Sequence, residues 1–240
     1  MGYRKGMERI RNALNLPARK SYNSTLKCFV SDCPRNRKGV GRYCLRHEKA
    51  RIRHGHPAGR QIPRHYYKRE LSEVSAFLKR HSGHPALAAA EDWFEKWMSA
   101  ASRGRNVPGR EQMANLYEHG VTGSRLLLTV LALWLHSERF PRSVPADIRL
   151  TFALCNAALK LCPSIRTVQY TSPKGVRTWR YRKPGYHVRE EIGRTIRRAM
   201  CVLYSNMLDA MKREEEARNR RLLALSKPFT SPGDQPNDAR

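Results

Sequence analysis

Cys28-Phe29-Val30-Ser31-Asp32-Cys33, followed after ten further residues by Cys44-Leu45-Arg46-His47, is the stretch on which the reading of this 240-residue chain turns. A tetrahedral ion such as zinc takes four soft or borderline donors, and two close pairs joined by a loop can supply them. Cys28 and Cys33 bracket a turn. Cys44 and His47 are three apart, the spacing at which side chains on one helical turn point the same way. Gly39 and Gly41 let the loop between the pairs fold back. Residues 26–60 are too poor in apolar side chains to build a core, so the fold of this segment is expected to come from the metal itself. With four protein ligands the ion is structural, one per chain, with no open position for catalysis.

Gly41-Arg42-Tyr43-Cys44-Leu45-Arg46-His47, followed by Arg51, Arg53 and His54-Gly55-His56-Pro57, resembles the small zinc finger that precedes the catalytic domain of bacteriophage HNH homing-type endonucleases. The resemblance covers residues 26–60. It implies that Cys28, Cys33, Cys44 and His47 hold zinc, that a basic helix follows and lies on DNA, and that the chain belongs to a phage or other mobile element. Glu48 stands where the family usually has an aromatic residue after the ligand histidine, and Ala50 and Arg51 stand where it often has Arg and Trp. The catalytic motif of that family is not found. His47-Glu48 has its residues in the wrong order, and after Glu118-His119 no Asn occurs before Asn156. The expectation is a non-enzymatic binding protein. An endonuclease with an unrecognised catalytic site is the alternative.

Charge points to the same class of partner. The chain has 47 Lys and Arg against 20 Asp and Glu, a net charge of +27. Residues 1–70 hold 19 basic and 4 acidic residues and residues 164–240 hold 17 and 8, whereas 71–163 hold 11 and 8. The excess therefore sits toward the two ends. A polyanion is the natural partner, because each neutralised phosphate releases condensed counterions. DNA is expected, with RNA as the alternative: His65-Tyr66-Tyr67-Lys68-Arg69 would suit stacking on single strands. No apolar run follows Met1-Gly2-Tyr3-Arg4-Lys5, and the longest apolar stretch, Leu126 to Leu135, is too short to span a bilayer. A cytoplasmic protein, nucleoid-associated in a prokaryote and away from membranes, is expected. Its six cysteines read as thiols or ligands rather than disulfides.

Outward from the finger, a mainly α chain is expected. Residues 1–25 form a basic leader with one helical turn over Glu8–Leu14 that Pro17 ends, and 61–70 form a linker. Residues 71–225 form a separate helical domain. Its apolar stripes are Leu71, Val74, Phe77 and Leu78, then Ala86 to Met98 with Trp93 and Trp97 as core. Further helices are expected over 110–118, from a Ser124 cap to 137, and from Pro145 to 161. Residues 165–182 change to a period of two and predict a β-hairpin around Ser172-Pro173-Lys174-Gly175. With Ser172 opposite Gly175, Val168 would face Trp179, separating an apolar face from one carrying Thr167, Thr178, Arg180 and Arg182. Helices followed by a basic hairpin would be winged-helix-like. Residues 187–225 read as one long helix that could mediate homo-oligomer assembly, and 226–240 as a disordered tail.

The residues expected on nucleic acid are Arg42, Arg46, Lys49 and Arg53, which fall on one helical face, helped by Arg51, and Arg177, Arg180 and Arg182 of the hairpin. Cys155, Cys162 and Cys201 are expected as buried structural thiols, and His54 and His56 as loop residues.

Overall fold

The structure is a computed structural model that describes residues 15–140, 146–171, 177–181 and 183–225. It is mainly helical. The first helix, α1 (Leu16–Thr25), starts with Pro17 in its opening turn. Pro17 suits that position, because a first-turn residue has no intrahelical N–H partner to lose. The finger follows and closes with α2 (Leu45–His54). A short 3-10 helix, Arg64–Tyr67, then leads directly into α3 (Lys68–Arg80). The segment expected as a linker is thus partly core, with Tyr67 and Glu70 both buried.

Four further helices build the core: α4 (Pro85–Ser102), α5 (Arg110–Glu118), α6 (Gly123–Arg139) and α7 (Ala146–Leu159). On α4 the buried positions Leu87, Ala90, Phe94, Trp97, Met98 and Ala101 follow the three-and-four spacing of one helix face. Trp97 is in the core as expected, and Trp93, half-buried, lies beside it with ring centroids 5.2 Å apart. The central helix is α6. Leu126, Leu127, Val130, Leu131, Leu133 and Leu135 are all nearly inaccessible, since α6 packs against α3, α4 and α7. The hydroxyl of Thr122, not Ser124, caps α6 by accepting from the Arg125 N–H at 3.3 Å. Ser124 falls inside the first turn.

The interface between α3 and α6 carries a buried polar group. Glu70 lies 3.5 Å from His136 Nδ1 and 3.7 Å from Arg139, which also bonds Glu73 at 2.7 Å. Glu70 Oε2 and His136 Nδ1 are buried without a hydrogen bond, so the carboxylate is offset by nearby charge rather than by a closed hydrogen-bond network.

Strands β1 (Arg166–Thr171) and β2 (Arg177–Tyr181) pair antiparallel. Val168 is opposite Arg180 and Gln169 opposite Trp179, one residue away from the expected register. Thr171 is opposite Arg177, where the expectation had Ser172 opposite Gly175. The expected pairing of Val168 with Trp179 is therefore not the one formed. Residues 172–176 and Arg182 lie outside the described residues.

The last helix, α8, runs Tyr186–Leu225. Residues up to Met200 belong to one compact unit with everything before them, and Cys201 begins a second. In the first unit Ile192 and Ile196 are fully buried, and Gly193 lies against the Thr151 carbonyl of α7. In the second, Cys201 is exposed, against the expectation of a buried thiol. Cys155 is buried, and its environment pushes the thiol up to about 12. Cys162, expected buried, is half-buried and accepts from Asn115 Nδ2 at 2.9 Å. The expected tail, 226–240, lies outside the described residues, as does the expected turn at Glu8–Leu14. Among the described residues no helix is long and apolar enough to cross a membrane.

Candidate metal centre and the basic helix it anchors

The finger is held by backbone pairing around a turn. The Cys28 N–H donates to the Arg35 carbonyl at 2.9 Å and the Arg37 N–H to the Leu26 carbonyl at 2.9 Å, forming a short bridge. Within the turn, the Cys33 N–H reaches the Val30 carbonyl at 3.2 Å, and Asp32 adopts a left-handed conformation (φ 59°) that aspartate tolerates better than most residues. A side chain from α1 closes the second loop: Asn23 Nδ2 donates to the carbonyls of Gly39 and Gly41, both at 2.7 Å. Cys44 is the residue at which α2 begins, and its carbonyl accepts from the Glu48 N–H at 2.9 Å. His47 is then one turn in, beside Cys44.

These elements bring Cys28, Cys33, Cys44 and His47 together, with their ligand atoms all within 4.8 Å of one another. Cys33 Sγ and Cys44 Sγ are 4.0 Å apart, and Cys28 Sγ and His47 Nδ1 are 3.2 Å apart. A tetrahedral ion with metal–sulfur bonds near 2.3 Å requires sulfur–sulfur edges of about 3.8 Å. The donor set therefore fits one metal ion without rearrangement. Cys28 and Cys44 are buried, and Cys33 and His47 are half-buried. Burial alone would push the Cys28 thiol up. The backbone N–H groups near it, including that of Cys44 at 3.3 Å, and the His47 ring outweigh that effect and hold it at about 6. The same centre contains a thiol with the opposite bias: the Arg35 amide favours the Cys33 thiolate, but burial and the two neighbouring sulfurs together raise it. A cation at the centre would relieve that repulsion.

Past the ligands, α2 exposes Arg46, Lys49 and Arg53, with Arg42 exposed just before it. The stripe expected from spacing is thus on the surface. Arg51 is engaged within the fold: Glu48 accepts from it at 2.7 Å, and its guanidinium sits 5.0 Å over the Tyr186 ring. Glu48, the departure from the family pattern, is what holds it. Arg177 and Arg180 are placed in β2 by their backbone, and their side chains lie outside the described residues.

Beyond α2 the finger is joined to the helical core. Gly55 ends α2 in a left-handed conformation (φ 76°), and a Cβ there would come within 2.5 Å of Phe152 and 2.6 Å of Ile148 on α7. Asn156 Nδ2 donates to the Arg53 carbonyl at 2.8 Å, and its Oδ1 accepts from Arg189. His54 is the last residue of α2 rather than a loop residue. Burial, followed by the charges of Arg189, Arg53 and Lys160, pushes its ring down to about 4. A depressed histidine favours folding as the neutral form, so its contribution is complete above pH about 6.5 and is lost as pH falls toward 4. We expect His54→Asn to flatten the loss of thermal stability between those two pH values.

Three adjacent depressions share His54 and Gln61, and no Asp or Glu lines any of them. One, of about 690 Å³, runs along α2 and is lined by Arg35, Arg46, Lys49, Arg53 and Arg60. Another, of about 680 Å³, lies between the finger's exit and helices α6 and α7. Its cations come from separate segments, so no spacing in the chain announces them.

Comparison with protein-family models, with curated proteins and with solved structures finds no match.

Proposed function

We propose that this protein is a zinc-stabilised nucleic-acid-binding protein that lays the basic face of α2 along DNA. The observation that carries this is the exposed stripe Arg42, Arg46, Lys49 and Arg53, beside a groove lined by five cations and no carboxylate. Zinc suits the centre because three thiolates and an imidazole are a closed structural donor set for that ion. The metal fixes the direction of α2 through Cys44 and His47, so the stripe is presented on a rigid element. Arg177, Arg180 and Arg182 are proposed as a second contact. The resemblance to the endonuclease finger supports the same partner and a mobile-element origin, with no catalytic group assigned.

Binding of this kind is electrostatic. The logarithm of the association constant is expected to fall by about 0.9 per phosphate neutralised for each decade of salt, so four contacts would weaken binding about a hundredfold between 50 and 200 mM salt. A titration flat over that range would contradict the reading. The direct test is Lys49→Glu with Arg53→Glu in the zinc-loaded protein. Both residues are exposed, so metal content and melting temperature should be unchanged while affinity for duplex DNA falls about tenfold or more. Unchanged affinity would move the contact to the strand pair. The same gel with duplex, RNA and added Mg²⁺ would show whether RNA is preferred or the strand is cut.

A further inference from the structure

The 680 Å³ cleft has a composition that the α2 surface does not explain. Arg60 and Arg64 come from the finger's exit, Arg125 from α6, Arg149 from α7 and Lys160 from the turn just after it, with His54 also in the lining. Arg60, Arg64, Arg125 and Lys160 are exposed, and among the described residues none of the four makes an ion pair. Arg149 is buried in the floor, where its Nη2 donates to the Ser137 carbonyl at 3.0 Å. Like charges gathered around one cleft raise the free energy of the fold unless an anion shares it. One flank is apolar, formed by Ile62, Ala153 and Ala157.

We propose that this cleft binds a nucleoside phosphate, with the phosphate among the arginines and Lys160 and the nucleoside along the apolar flank. Five cations and no carboxylate in one lining suit a group carrying close to two charges and three acceptor oxygens better than a single carboxylate. The volume lies in the range of small-ligand sites, about 300–1,000 Å³, and accommodates one nucleotide. The phosphate can be borne by a nucleic-acid strand or by a free nucleotide, and the inference rests on the nucleic-acid reading only for the first source.

The test uses calorimetric titration of the zinc-loaded full chain with three probes. These are adenosine 5′-monophosphate and a single strand of about 12 nucleotides with or without a 5′ phosphate. Arg125→Gln combined with Lys160→Gln should weaken whichever probe binds the cleft about tenfold or more, and Lys49→Glu with Arg53→Glu should change the affinity for the mononucleotide less than threefold. Arg64→Gln is an independent variant should the pair lower the melting temperature. Cleft-dependent binding of the mononucleotide assigns a free nucleotide. Cleft-dependent binding of a strand alone assigns a strand-borne phosphate. If no probe binds, or none responds to the cleft variants, the proposal is overturned. If the mononucleotide binds while neither strands nor duplex do, the cleft stands and the nucleic-acid reading fails.

Discussion

Replacing Cys44 with serine is expected to strip the metal from the protein, from about one ion per chain to near none, and to unfold residues 26–60. Cys44 does three things at once. It is a buried member of the candidate ligand set, its amide donates to Cys28 Sγ, and it is the residue from which α2 begins. A hydroxyl does not replace a thiolate on a soft-ligand ion. Structural zinc contributes about 10–16 kcal/mol to the folding of isolated finger modules, and the finger has little else: no residue of α2 is buried. DNA affinity should fall at least as far as in the charge-reversal variant, because α2 loses its direction. The helical core should keep most of its circular dichroism, since the ligands all lie outside it. Its melting temperature should still drop, because Gly55, Arg51 and Arg53 contact α7 and α8. Metal analysis showing undiminished zinc would defeat the ligand assignment. Collapse of the whole helical signal on chelation would make finger and core one cooperative unit.

The second large effect is expected from Gly193→Val. Gly193 is where α8 crosses α7, and a Cβ there would meet the Thr151 carbonyl carbon at 2.7 Å and its Cγ2 at 2.8 Å. Backbone atoms cannot turn aside as a side-chain tip can, so the two helices would have to separate. That separation would open the packing around Ile192 and Ile196, both fully buried. A loss of about 3 kcal/mol or more is expected, which for a domain of this size lowers the melting temperature by roughly 6–12 °C. Gly83→Ala is the control, since nothing lies within 4 Å of a Cβ at that position. Its melting temperature should match the unsubstituted protein within about 2 °C, an effect inside the usual ±0.5 kcal/mol of surface substitutions. If Gly193→Val melts with the control, the close crossing is not part of the fold.

The sequence by itself determined the candidate ligand cluster and most of the helices. Both are local. Cys28 and Cys33 need only one turn between them, Cys44 and His47 only one turn of helix, and a stripe such as Leu87, Ala90, Phe94 and Trp97 repeats within a single element. Arg46, Lys49 and Arg53 repeat within one helix in the same way, whereas Arg42 precedes it. The strand register was misread because the turn residues fit more than one pairing. What only the tertiary structure decided is which faces meet. Gly55 against Phe152, Glu70 beside His136, Arg51 over Tyr186, and the four exposed cations of the cleft join residues from separate segments. Periodicity states that a face will be covered, but not by what. That depends on the packing of α3, α6, α7 and α8 around one core, a property of the whole chain that no window of it contains.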